Sequence, residues 1–240
     1  MKITSLKTEK IVEGSLDLKD FLDSYIKRIE EKSILVITSK VISIIEKRTK
    51  PLELDKDKLI EQDADFIAKK PNKYGRYLTV KCNAFISSAG IDESNGNGSY
   101  IFLPENPQKT ARWVYGYLSK KFKTKDWGVI ITDSRSLPLR AGATGVAIGF
   151  WGFAPLKSYI GKPDVFGRKL KYEKSNVLDA LAGAAVLAMG EGSEQTPLAV
   201  ITNVNQIEFC KTRPNKNDLK EFYVSLEDDI FHQFYQKLRP

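Results

Sequence analysis

The stretch Trp127 to Gly149, WGVIITDSRSLPLRAGATGVAIG, limits the fold more than any other part of the chain. It opens on Gly128-Val-Ile-Ile-Thr132, an apolar run rich in β-branched residues and bounded by polar ones, which predicts a buried strand. That strand is expected to end on Asp133-Ser134. A loop carrying Arg135 and Arg140 follows, then Ala141-Gly-Ala-Thr-Gly145 leading into a second apolar strand. A carboxylate and a hydroxyl at a strand end, followed by two arginines and small residues, suit an oxyanion or metal–phosphate site. The strand fixes the geometry and the loop beyond it stays accessible. An ordinary strand–loop–strand with a solvated aspartate has the same pattern, so the rest of the chain must decide.

Upstream, apolar residues at 18, 21, 22, 25, 26 and 29 recur at a helical period and predict a helix over Leu18 to Lys32. Ile34-Leu-Val-Ile-Thr38 is a buried strand running into Ser39-Lys40-Val-Ile-Ser43, where Ser39 is expected to cap a short helix. A Ser-Lys pair at such a junction can meet a phosphate through backbone N–H groups and the ammonium, or be a plain cap beside a surface lysine. A helix from Asp55 to Lys70 is expected to stop at Pro71, with strands at Tyr77–Lys81, Ala84–Ser87 and Tyr100–Leu103. The segment Ser88 to Ser99, rich in glycine, amide and acidic residues, is too long for a tight turn. Asp92 and Asn95 are its natural ligand donors. Asn106-Pro107 starts the next helix.

Beyond the central stretch, a connection punctuated by glycine and proline leads to the alanine-rich helix Asn176 to Met189. Gly190-Glu191-Gly192 ends that helix and carries one carboxylate. A strand at Pro197–Thr202 and an amphipathic helix over Leu226 to Leu238 complete the chain. Strands and helices mix without a βαβ rhythm, which predicts an α+β fold with mixed sheets and packed helices. A single unit over 1–240 is expected, with 150–175 as the one stretch where two subdomains could divide.

Composition removes several function classes. The chain has one histidine, His232, so histidine metal clusters are excluded and any triad would depend on that residue. Cys82 and Cys210 are too few for a disulfide scaffold and lack metal-site spacing, which fits a reducing cytoplasm. No apolar run approaches the roughly 18 residues that span a bilayer. The first residues are too polar for a secretory signal, so neither membrane nor export is expected. The net charge of +8 attracts polyanions, but its lysines are scattered and no nucleic-acid motif accompanies them, so nucleic acid is not an expected partner. Walker and GxGxxG patterns are both missing. What remains is a set of hard oxygen donors, Asp92, Asp133, Ser134 and Glu191, suited to magnesium or manganese. Arg140 is the candidate to neutralise phosphate oxygens. Phosphoryl transfer needs little beyond such metals, cations and positioning.

At these residues the chain resembles the coenzyme F-420 gamma-glutamyl ligase family. The matching pieces are Ala89-Gly-Ile-Asp-Glu-Ser-Asn95, Thr132-Asp-Ser134, Pro138-Leu-Arg-Ala-Gly142 with Gly145-Val-Ala-Ile-Gly149, and Tyr159-Ile-Gly161 with Asp164-Val-Phe-Gly-Arg168. Leu178-Asp-Ala-Leu-Ala-Gly-Ala-Ala185, Met189-Gly-Glu191 and the earlier Ser39-Lys40-Val-Ile-Ser43 belong to the same set. Several ordered motifs over roughly residues 34 to 202 are far more specific than any one.

The resemblance implies a gamma-glutamyl-ligase-like fold in an intertwined homodimer. It implies a ligase that spends GTP, uses two divalent cations (magnesium or manganese, with potassium as a further candidate) and joins L-glutamate to a small-molecule carboxylate acceptor. By position, Asp92 and Asp133 would hold one metal and Ser134 and Glu191 the other. Asn95, Ser39, Lys40 and the Gly190–Gly192 turn would lie against the nucleotide. The chain departs from the family at the abbreviated segment Val12–Leu18, at Ile44-Ile45 before Glu46, at Asp179-Ala180 and at Thr202-Asn203. Metal positions are kept while the nucleotide and substrate edges drift. A related ligase with another acceptor or nucleotide is therefore one rival, and a non-catalytic nucleotide-binding scaffold is the other. Carboxylates clustered without cations to compensate them argue against the scaffold.

Overall fold

A computed structural model describes residues 1–205 and 207–235. In chain order the elements are β1 (Lys2–Leu6), α1 (Leu18–Tyr25), β2 (Ile34–Thr38), α2 (Ser39–Ile45), β3 (Thr49–Pro51), α3 (Lys56–Asp63), β4 (Phe66–Ile67), β5 (Leu78–Lys81) and β6 (Ala84–Ser87). There follow β7 (Ser99–Ile101), α4 (Pro107–Phe122), β8 (Gly128–Ser136), β9 (Ala143–Trp151), β10 (Leu156–Ser158), β11 (Lys174–Asn176), α5 (Val177–Met189), β12 (Leu198–Thr202), α6 (Lys216–Phe222) and α7 (His232–Tyr235).

The main sheet has the order β1-β12-β2-β8-β9. Only β2 and β8 run parallel in it, with Ile34 opposite Gly128 and Thr38 opposite Thr132; the other pairs are antiparallel. Helices cover both faces, which is why β2 reads as an unbroken apolar run and not as an alternating one. Its Leu35 and Ile37 pack with Phe21 and Leu22 of α1 and Ala111, Val114 and Leu118 of α4. Its Ile34 and Val36 pack against Leu178, Leu181 and Ala185 of α5. Burying a side chain such as Phe21 contributes roughly 2–3 kcal/mol. Trp127 closes the α4 side: it is fully buried, stacks on Tyr115 at 5.0 Å and donates its indole N–H to Ser119 Oγ at 2.7 Å. The chain between β2 and β8 builds a smaller unit, the sheet β4-β5-β6 and the pair β3-β7, around Ile60, Ile67, Ile91, Tyr100 and Phe102.

The motif Gly145-Val-Ala-Ile-Gly149 has a packing reason. The β8–β9 register shifts between Ile131 and Thr132, opposite Gly149 and Ala147, so Ile148 is an extra residue on β9. That bulge reverses the alternation, and the two glycines face opposite helices. A Cβ on Gly145 would lie 2.5 Å from Ala182 O and 2.6 Å from Val186 Cγ2 of α5. One on Gly149 would lie 2.5 Å from the Pro107 carbonyl of α4. Both helices therefore rest on the strand backbone.

The α+β mixed-sheet expectation holds. Four local expectations need correction. The helix expected to Lys32 stops at Tyr25, because Ile26 and Ile29 reach the core from an extended segment that satisfies the same spacing. The helix expected to Lys70 stops at Asp63, since Phe66–Ile67 pairs with Thr79 and Val80 as a sheet edge. Strand β8 does not end on Asp133-Ser134 but runs to Ser136, with Arg135 and Ser136 still paired to β9. Of the helix expected over Leu226 to Leu238, only His232–Tyr235 is helical, and 236–238 lie outside the described residues.

Candidate functional site

The carboxyl ends of the parallel pair β2 and β8 open into a cleft of about 1210 Å³. Its walls include Thr38–Val41, Asp92–Asn95, Thr132–Ser136 and Gly190–Pro197. Ligands commonly settle where parallel strand ends meet a helix start, and here each wall brings one of the predicted donors.

Ser39 is the first residue of α2 and not its cap: Thr38 holds the cap position without a side-chain bond. The freed Ser39 hydroxyl donates to Asp133 Oδ1 at 2.9 Å. Next along β8, Ser134 Oγ donates to Glu191, 2.7 Å from Oε1 and 2.9 Å from Oε2. Adjacent strand residues point to opposite faces, so one dipeptide serves two walls.

The wall at Asp92 is equally ordered. Its backbone exchanges two hydrogen bonds with Ile101, and its Oδ1 accepts the Ser94 N–H at 2.9 Å, an Asx turn. Its Oδ2 accepts Lys40 Nζ at 2.7 Å. The ammonium also reaches Ser94 O at 3.1 Å and Ser94 Oγ at 2.9 Å. The fourth wall follows α5: Gly190 ends it with φ +84°, and the turn wraps the Glu194 carboxylate, which accepts the Gly192 N–H at 2.8 Å. Asn95 Nδ2 donates to Gly192 O at 3.1 Å and ties the Asp92 loop to this turn.

Charge in the cleft is unevenly balanced. Burial pushes the Asp133 carboxyl up to about 6, against the lowering effects of the Ser39 bond and Lys40, and the Asp92 charge adds to the rise. At Asp92 burial also raises, but the Lys40 bond, the Ser94 N–H and the ammonium charge outweigh it and hold the carboxyl below its usual range. Among the described residues no group of three or more His, Cys, Asp or Glu is gathered for a metal. Ser134 and Glu191 are in direct contact, while Asp92 and Asp133 line the same cleft and sense each other's charge. All are hard oxygens, the chemistry magnesium and manganese take, and the elevated Asp133 is a carboxylate that a cation would compensate.

The two arginines of the central stretch separate. Arg140 does not line the cleft; it is exposed, and its Nη1 donates to the neighbouring Leu139 carbonyl at 3.0 Å. Arg135 does line it, with Nη2 3.8 Å from Asp179 Oδ2 and a buried Nε lacking a hydrogen-bond partner. Further stretches of lining carry no signal in the sequence, among them Thr8–Val12 and Tyr74–Arg76. Thr8–Val12 joins through the Thr8 N–H bond to Gln195 O at 2.9 Å and has no pattern that marks it. Tyr74–Arg76 falls in the short stretch between the expected helix and the strand from Tyr77, where no motif marks it.

The model of the family F420-0:Gamma-glutamyl ligase matches residues 5–203. The chain is 31% identical to the Coenzyme F420:L-glutamate ligase of Methanococcus maripaludis, over 92% of this chain and 93% of that protein. It is 32% identical to the protein of that name from Methanocaldococcus jannaschii, over 79% and 82%. With the one from Methanosarcina mazei it shares 37% identity over 63% of this chain and 58% of that protein.

Proposed function

The chain belongs to the F420-0:gamma-glutamyl ligase family, and on that premise we propose that it joins L-glutamate to the carboxylate of a small-molecule acceptor of the F420-0 type at the expense of GTP. The observation that carries this reading is the convergence of Asp92, Asp133, Ser134 and Glu191 on one cleft with Lys40, Asn95 and the Gly190–Gly192 turn.

In the proposed reaction the acceptor carboxylate takes the γ-phosphoryl group, giving an acyl phosphate and GDP. The glutamate amine then attacks the acyl carbon and loses a proton. The C–O bond to phosphate breaks, and inorganic phosphate leaves with that oxygen. Asp92 and Asp133 would hold one divalent cation and Ser134 and Glu191 a second. Magnesium or manganese, with potassium as an additional ion, would offset the charge of the phosphate oxygens. Ser39 orients Asp133 through its hydroxyl, and Lys40 supplies a positive charge to the triphosphate. Asn95, whose amide gives one N–H to Gly192 O, has a second donor that needs no charge, and the glycine turn, its Gly190 and Gly192 N–H groups held by Val186 O and Glu194, would lie against the nucleotide as backbone. Arg135, the arginine of the central stretch that lines the cleft, takes the charge-stabilising role first given to Arg140. The unpaired Cys82 and Cys210 fit a reaction carried out in the cytoplasm. A homodimer is part of the same proposal: the β10–β11 hairpin holds Val165 and Phe166 at 91% and 93% exposure, apolar surface that a second copy would cover.

Calorimetric titration of GTP, then ATP, with and without manganese tests the reading. Manganese-dependent GTP binding that Asp133→Asn abolishes is the expected result. A response to ATP alone would move the assignment to a related ligase with another nucleotide. No binding of either nucleotide under any metal condition would leave a scaffold that keeps the fold.

A further inference from the structure

The loop between β4 and β5, Ala68 to Tyr77, contains Lys69, Lys70, Lys73 and Arg76 and no acidic residue. All four cations are exposed, and none takes part in an ion pair among the described residues. The loop nevertheless has a set shape. Asn72 Oδ1 accepts the N–H groups of Tyr74 at 2.9 Å and Arg76 at 3.1 Å. The Asn72 N–H closes on Arg76 O at 2.8 Å, and Gly75 takes φ +73° to complete the turn. Lys73 Nζ sits 4.9 Å from the Tyr74 ring centroid.

This turn brings Tyr74, Gly75 and Arg76 to the lining of the cleft. Other cations of that lining are already committed, Lys40 to Asp92 and Lys56 to Glu93, each at 2.7 Å. Arg76 is not, nor is the exposed Lys10 on the same lining. A cleft that gathers Asp92, Asp133, Glu191 and Glu194 repels anions wherever no cation answers them. A hydrogen-bonded turn of uncommitted cations at its edge offers the opposite field.

We propose that the 69–76 turn is the receiving surface for a multiply charged anionic acceptor, and that it favours the reaction product over the starting acceptor. The proposal rests on the ligase reading above. Each turnover consumes one acceptor carboxylate and adds the two carboxylates of the joined glutamate, so the product carries one more negative charge. A positive surface at the cleft edge holds that product for a further addition. It belongs to the β4-β5-β6 sheet, a different element from the donors at Ser39, Asp133 and Glu191.

The test compares the full-length protein with Lys70→Gln/Lys73→Gln/Arg76→Gln. Glutamine removes the charge and keeps a polar side chain, and the turn is held by Asn72 and backbone groups the substitutions leave untouched. Binding of F420-0, of its mono-glutamylated product and of GTP with manganese is measured for each. The wild type is expected to bind the glutamylated product more tightly than F420-0. The triple variant is expected to weaken for the product by about tenfold, less for F420-0, and not for GTP, with the difference shrinking as salt screens exposed charges. Unchanged product binding overturns the proposal. A loss confined to GTP also overturns it and reassigns the turn to the triphosphate. Wild-type protein that binds GTP but neither F420-0 nor its glutamylated product sinks the acceptor assignment alone. Protein that binds none of the three sinks the ligase reading with it.

Discussion

Asp23 is gripped from α4: Tyr117 Oη and Lys121 Nζ each donate to its Oδ1 at 2.6 Å. Those bonds, the lysine first, hold its carboxyl down to about 2, against the ordinary 3.8. A depressed carboxylate stabilises the fold in full above about pH 4, and the contribution drains as pH falls through 2. Asp23→Asn should therefore melt below wild type at pH 6 and match it near pH 2; an equal gap at both values would refute the assignment. Asp133 has the opposite sign. Its folded-state value near 6 lies above 3.8, so ionising it costs stability as pH rises from 4 through 6. Without metal, Asp133→Asn should be more stable than wild type at pH 7.5 by about 1 kcal/mol, a gain absent at pH 4, as thermal melts in chelator would record. Residue by residue, Asp92, Asp133, Ser134 and Glu191 could be picked out as candidates because each is a polar group in a short motif beside an apolar run, and all four line one cleft. The pairing of Lys40 with Asp92 could not, since side chains 52 positions apart meet only through the fold.

Among the elements, β9 shows what glycine does when helices crowd a strand from both sides. Gly145→Ala forces a Cβ into Ala182 O and Val186 of α5, and should destabilise by about 1–3 kcal/mol. Gly116, inside α4, has nothing within 4 Å of a built Cβ, so Gly116→Ala should stabilise by up to about 1 kcal/mol through helix propensity alone. Paired thermal melts with opposite shifts would confirm both arguments, and equal shifts would remove the packing explanation. The strands β2, β8 and β12 were plain in the sequence as β-branched apolar runs. Helix ends were not: apolar spacing at 26 and 29 fits a helix and an extended core segment alike, and nothing local favours the second. Segment 64–70 failed for a related reason, because pairing of Phe66–Ile67 with β5 outweighs continuation of α3.

For the whole molecule, mixed α+β architecture followed from the order of elements, but not the identity of the parallel pair, which depends on which strands meet across the insertion. The exposed hairpin carries the proposed self-association. Val165→Glu/Phe166→Glu should turn a dimer into a monomer in sedimentation velocity while leaving the melting of the dilute protein nearly unchanged. A wild type that sediments as a monomer at high concentration would end that proposal. The sheet order has a consequence for biosynthesis. Lys2–Leu6 pairs with Leu198–Thr202, and Ile34–Ile37 lies between that same late strand and Gly128–Thr132. A nascent chain therefore holds its earliest strand unmatched until nearly the last part of the matched region has left the ribosome. Strands β2, β8 and β9 can pair once residue 151 has emerged, but β1 and the open edge of β2 wait for β12, and chains stalled before residue 198 would present those bare edges to one another.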